Sequence, residues 1–121
     1  MRFALAAAGL GFALSASPAA ALDDDGEANI YGPGAGPCSA YVAARKGGSA
    51  QTFEQWLDGY LSAVNLVLPD TYDILGDKKR ETAVAWLDVY CTQNPDDAFG
   101  FAANRLAAYL YPNRLAAKPA K

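Results

Sequence analysis

Histidine is absent from this chain of 121 residues. With it go imidazole general bases, Ser/His and Cys/His nucleophile pairs, His metal ligands and a charge switch near neutral pH. No catalytic constellation is legible, so the chain reads as a non-enzyme that needs no cofactor and no metal. Charge is also scarce: 10 Lys+Arg stand against 13 Asp+Glu, together 19% of the residues. That balance excludes a basic nucleic-acid binder, and neither DNA nor RNA is an expected partner. With 52% apolar residues the chain is not a disordered acidic polymer either. Its length fits one domain, since a single core organises roughly 100 to 200 residues.

Long hydrophobic runs are equally few. One stands at the start, where Arg2 precedes the uncharged stretch Phe3 to Ala16 and Ala19 and Ala21 offer the small-x-small pattern of a signal peptidase site. Residues 1–21 are therefore expected to be a cleaved signal peptide, and the protein to be exported to the periplasm. The run is shorter than the roughly 20 apolar residues a bilayer span needs, so no membrane span is expected in the mature form. Residues 22–37 then mix Asp23, Asp24, Asp25 and Glu27 with Gly and Pro and show no apolar period, which predicts a flexible acidic arm. Residues 38–121 carry 9 charges of each sign.

Cysteine is limited to Cys38 and Cys91. In an exported protein a lone pair of thiols normally joins, and a small domain gains most from the bond. The remaining pattern predicts an all-α fold of four helices over 38–111. The first covers Cys38 to Lys46 and stops at Gly47-Gly48. The second is read with Thr52 as N-cap and Gln55 completing a capping box, and it lines Phe53, Trp56, Leu57, Tyr60, Leu61, Val64 and Leu68 on one face before Pro69. Asp77 is expected to cap a third helix reaching Gln93, with Ala83, Val84, Leu87, Tyr90 and Cys91 inward and Trp86 on the flank. Asn94-Pro95-Asp96-Asp97 reads as an N-cap, a first-turn proline and two acids at the positive end of a fourth helix. That helix buries Phe99, Ala102, Ala103, Leu106 and Leu110 and ends at about Tyr111. Residues 112–121 read as a loose basic tail.

Some residues invite a special role. Gly59 lies mid-helix, where glycine costs about 1 kcal/mol relative to alanine, so close approach of another helix or of the disulfide is expected there. Asn65 borders the apolar face and is expected to be a satisfied amide holding a loop carbonyl. Trp56 and Tyr60 are assigned to the core. For Trp86, Phe101 and Tyr109 core and contact roles both stay open. Any pH response must come from carboxylates such as Glu54, Asp58, Asp73, Asp77, Glu81 and Asp88.

Three segments carry a resemblance: Cys38-Ser39-Ala40-Tyr41, the run Trp56 to Asn65 with its Gly59-Tyr60 pair, and Trp86-Leu87-Asp88-Val89-Tyr90-Cys91 followed by Asn94-Pro95. Together they resemble the small exported HdeA/HdeB acid-stress chaperones over about residues 38–110. The resemblance implies a helical domain with one disulfide, a homodimer near neutral pH, and a fold that loosens in acid to hold unfolding periplasmic proteins. The Trp56-x-x-Gly59-Tyr60 helix, and a following helix that ends near Asn94-Pro95, are also similar to periplasmic immunity proteins that neutralise cell-wall amidase toxins of type VI secretion. On that alternative the partner is a toxin, and the 69–76 connection with Tyr72, Ile74 and Leu75 is the expected binding loop.

The thiol pairing is open to direct test. A disulfide closing a loop of about 50 residues contributes roughly 4 kcal/mol, so reduction or Cys38→Ser should lower the melting temperature sharply. Intact mass showing two free thiols in the exported protein would refute the pairing.

Overall fold

The computed structural model describes residues 25–121; the expected signal segment and cleavage site lie outside them. Among the described residues there are four α-helices and no strand: α1 (Cys38–Gly47), α2 (Gln51–Val67), α3 (Arg80–Gln93) and α4 (Phe99–Leu110). Two isolated antiparallel bridges, Pro37 with Ala98 and Asp73 with Leu115, tie the segments between and after them.

The disulfide joins Cys38 at the start of α1 to Cys91 near the end of α3, with Cα atoms 4.8 Å apart and both residues fully buried. Phe99 sits at the centre of the aromatic core, its ring 4.7 Å from Tyr41, 5.1 Å from Phe53 and 5.8 Å from Trp56. Leu57 and Leu61 from α2, Ala83, Val84 and Leu87 from α3, and Ala102, Ala103, Leu106 and Leu110 from α4 complete the core. These are the residues whose 3.6-residue spacing marked the inward faces.

Helix starts differ from the sequence reading, each for a local reason. Thr52 is not the N-cap of α2. Ala50 is, without a side-chain cap, because Ala50 is buried and packing rather than a hydroxyl fixes where the helix begins. Asp77 does not cap α3 either. Residues 73–79 run as successive turns, with Gly76 N–H donating to the Asp73 carbonyl and Lys78 N–H to that of Leu75, and the helix starts at Arg80 after Lys79. The Asn94-Pro95-Asp96-Asp97 motif is the largest departure. It is a turn outside α4, whose N-cap is Ala98. Asn94 instead serves the end of α3, both its backbone and side-chain amides donating to the Tyr90 carbonyl at 2.9 Å. The turn's carbonyls then face α1: Cys38 N–H donates to Asp97 at 2.7 Å and Ser39 N–H to Pro95 at 2.9 Å. α1 follows Pro37 with no side-chain cap of its own, so these bonds satisfy donors otherwise left open.

Both expected loose ends are built into the fold in part. From Ile30 onward the 22–37 arm is packed. Residues Gly32–Ala35 form a 3-10 turn, Gly34 is buried, and Trp56 Nε1 donates to the Tyr31 carbonyl at 2.9 Å. In the 112–121 tail, Leu115 exchanges backbone hydrogen bonds with Asp73 at 2.9 and 3.2 Å, and Arg114 Nε donates to the Asp70 carbonyl at 2.9 Å. Glycine and proline marked both segments as irregular, but irregular backbone still packs when its polar groups find partners.

Gly59 is exposed, and a Cβ there would meet nothing within 4 Å, so neither a neighbouring helix nor the disulfide requires it. The glycine demanded by close approach is Gly34, where a Cβ would overlap the Trp56 indole. Gly59→Ala should therefore stabilise the fold by up to about 1 kcal/mol, while Gly34→Ala should destabilise it. Denaturant titration of the two variants tests this, and equal effects would contradict the placement of Trp56 against Gly34.

Candidate functional site

No group of three or more Cys, Asp or Glu able to hold a metal ion occurs among the described residues. Their chemistry is gathered instead in a chain of ion pairs across three helices. On α3, Asp88 accepts from Arg45 of α1 through both oxygens, at 2.9 Å from Nε and 3.0 Å from Nη2. The buried Tyr41 hydroxyl donates to the same carboxylate at 2.7 Å. Arg45 reaches on to Glu54 of α2 at 3.3 Å. Glu54 also takes Arg80 of α3 at 3.1 Å, and Arg80 forks onto Asp58 at 2.5 and 3.1 Å. Two arginines and three carboxylates thus link α1, α2 and α3, and the forked pairs impose the directional geometry that guanidinium and carboxylate share.

The electrostatics follow from that geometry. Burial pushes Asp88 upward, but hydrogen bonds from Arg45 and Tyr41 and the Arg45 charge outweigh it, holding the carboxyl below its ordinary range. Burial first, then the hydrogen bond to Asp88, holds the Tyr41 phenol far above its usual value. Hydrogen bonds to Asp88 and to Asp58 strengthen the proton affinity of Arg45 and Arg80 respectively, against a smaller opposing effect of burial.

The arginines are what the sequence reading missed, although it named the acids. Glu54 and Asp58 lie four apart on one helix, where two like charges repel unless a cation stands between them. Arg80 supplies it. Tyr41 and Arg45 have the same spacing on α1 and share the partner Asp88.

The aromatic residues fall into two surface groups. Trp56 and Tyr60 are half-buried and stacked at 5.5 Å, and the Tyr60 hydroxyl donates to Asn104 of α4 at 3.1 Å. Trp86 lies between Tyr90 and Tyr109, with ring centroids at 5.1 and 5.7 Å, and Tyr109 is half-exposed. The Tyr90 hydroxyl donates to Asp97 at 2.6 Å, which together with burial raises its pKa. Phe101 is half-buried on the first turn of α4. Asn65 does hold a loop, but its Oδ1 accepts from the Ile74 N–H at 2.8 Å rather than contacting a carbonyl. Of the expected loop anchors, Ile74 is fully buried in the core and Leu75 packs against it, leaving Tyr72 exposed. Ile74 therefore cannot contact a partner while the domain is folded.

Comparison with protein-family models, with curated proteins and with solved structures finds no match to this chain.

The ion chain makes the fold's acid response specific. A carboxyl held low in the folded state stabilises fully above its unfolded pKa of about 3.9, and that contribution is lost as pH falls through the lower folded value. Asp88→Asn should therefore weaken the domain at neutral pH and cost progressively less below about pH 4. Urea titrations of both proteins at neutral and acid pH check this; a deficit of constant size across that range would show that the Asp88 charge is not what matters.

Proposed function

We propose that this chain is a small exported chaperone of the HdeA/HdeB type, non-catalytic, whose domain loosens in acid and holds unfolding periplasmic proteins. One observation carries the reading: the ion pairs joining α2 to α1 and α3, and the arginine fork on Asp88, all end on carboxylates. In a chain without histidine the trigger lies in the carboxylate range. As Asp88 is protonated, Arg45 loses the counter-charge it forks onto, and the side-chain tie between α1 and α3 outside the disulfide is lost. Core aromatics such as Phe53 and Phe99 then become accessible, while the Cys38–Cys91 bond limits how far α1 and α3 separate. A loosened, disulfide-limited domain offering apolar surface is the physical requirement for holding a client.

The immunity reading draws on a different feature. A folded inhibitor needs rigid aromatic anchors at its surface, and the Trp86, Tyr90 and Tyr109 stack, braced by the bond from Tyr90 to Asp97, is such a group. On that reading the stack is a contact separate from the 69–76 loop, where Tyr72 is the exposed aromatic.

Acid-induced aggregation of a model client, measured with near-UV circular dichroism of the protein alone, separates the two. The chaperone reading expects loss of the near-UV signal and suppressed aggregation at about pH 2 to 3, both reversing at neutral pH. A near-UV spectrum unchanged at that pH, together with unaltered aggregation, would defeat it and favour the folded inhibitor.

A further inference from the structure

The largest unexplained apolar exposure lies where α2 ends. Leu66 is 85% exposed and Val67 73%, and Leu68 and Tyr72 follow as further exposed apolar side chains. Val67 and Leu68 share a groove of about 430 Å³ with Tyr111, Ala108 and Tyr60, and no charged residue lines it. These residues do nothing for the core: the buried face of α2 stops at Val64. Helix propensity alone would be served by polar residues at these positions.

The segment that leaves this tip carries charge of one sign. From Arg114 to the end of the chain there are three cations, Arg114, Lys118 and Lys121, and no acid. Arg114 is fixed at the tip, donating to the Asp70 carbonyl and to Thr71 Oγ1 and lying 3.8 Å over the Tyr111 ring. Lys118 and Lys121 extend from it, both exposed. The acids nearby are Asp70, on the surface, Asp73, whose Oδ1 accepts from the Leu75 N–H, and Asp77, which follows the Gly76 packed on Asn113 and pairs with Lys78 at 3.5 Å. The N-terminal arm enters the fold beside Trp56 and Tyr60, at the far end of the groove, eleven residues up α2 from Val67 and so about 16 Å from it. Protruding aliphatics, tyrosines at their margin and lysines behind them are the combination that seats a protein on an anionic bilayer surface: the apolar tip enters the headgroup boundary and the cations meet lipid phosphates.

We propose that the tip formed by Leu66, Val67, Leu68, Tyr72 and Tyr111, with Arg114, Lys118 and Lys121 behind it, docks this domain reversibly on the surface of an anionic lipid bilayer. No spanning segment is involved, and no helix among the described residues is long and apolar enough to cross a membrane. The inference is independent of whether the domain is a chaperone or an inhibitor. It places the folded protein at the membrane surface in either case.

Co-sedimentation of the exported protein with vesicles at neutral pH provides the test, phosphatidylglycerol-containing vesicles being compared with pure phosphatidylcholine. Binding is expected to the anionic vesicles and to fall as salt rises. Lys118→Ala with Lys121→Ala should weaken it about twenty-five-fold, at roughly five-fold per cation. Leu66→Ser with Val67→Ser should weaken it about a hundred-fold, the loss expected for two apolar side chains, with an unchanged circular dichroism spectrum because both sites are exposed. No preference for anionic vesicles, or tip variants that bind as the unaltered protein does, would overturn the proposal. So would a Leu66→Ser/Val67→Ser protein that changes from dimer to monomer yet keeps its vesicle binding, since the tip would then be an interface between copies.

Discussion

The joint around Cys38 and Cys91 governs the architecture. At this one place the disulfide fixes the start of α1 against the end of α3, and the 94–98 turn passes between them with its carbonyls on the first amides of α1. Phe99 N–H, opening α4, donates back to the Gly36 carbonyl at 2.8 Å. Three helices therefore meet where one covalent bond and a few backbone hydrogen bonds set their relative positions. α1 is short and exposes much of its length, so beyond this joint it is held by the buried Tyr41 and by the bonds of Tyr41 and Arg45 to Asp88.

α2 is held differently. It takes no part in that joint, and it is attached by burying Leu57, Leu61 and Val64, by the Trp56 contact with the packed arm, by Asn65 on the Ile74 N–H, and by the pairs of Glu54 and Asp58 with arginine. The division matters for any response to conditions. Covalent and backbone ties are indifferent to protons in the acid range, whereas the ion pairs are not. The carboxyl held below its ordinary range is Asp88, so a fall in pH bears on the bond of Arg45 to Asp88 and leaves the α1–α3 disulfide in place.

Much of this was legible in the sequence, for a reason visible in particular residues. The faces of α2, α3 and α4 follow from apolar spacing because burial, the dominant free-energy term, repeats with the helix period. Cys38 and Cys91 could pair only with each other. What was not legible was where each irregular segment sends its hydrogen bonds. Asn94-Pro95-Asp96-Asp97 has every local mark of a helix start, yet its groups are used by α3 and α1, which lie elsewhere in the chain. The same holds for Gly34 and Gly59: composition shows a glycine, but only the position of Trp56 shows which one must remain without a side chain. The arginine partners of Glu54, Asp58 and Asp88 come from other helices, separated by 22 to 43 residues in the case of Arg80 with Asp58 and Arg45 with Asp88, beyond any local spacing rule.

The two surfaces left unexplained by folding lie on different parts of the molecule, and this separation bears on how they can be used. The Trp86, Tyr90 and Tyr109 stack belongs to α3 and α4, whose relation is set through the disulfide joint; the apolar tip belongs to α2 and to the 111–115 segment that folds back onto the 70–73 loop. A partner on the stack would meet rings braced by Asp97 and backed by α4, a geometry that survives small movements of α2. A surface on the tip would instead engage α2, which stands outside the disulfide joint and is held by side-chain contacts. Protonation of Asp88, two residues from both Trp86 and Tyr90, bears on the helix that carries the stack rather than on α2, and a ligand at either surface shifts an equilibrium only by its differential affinity for the two states.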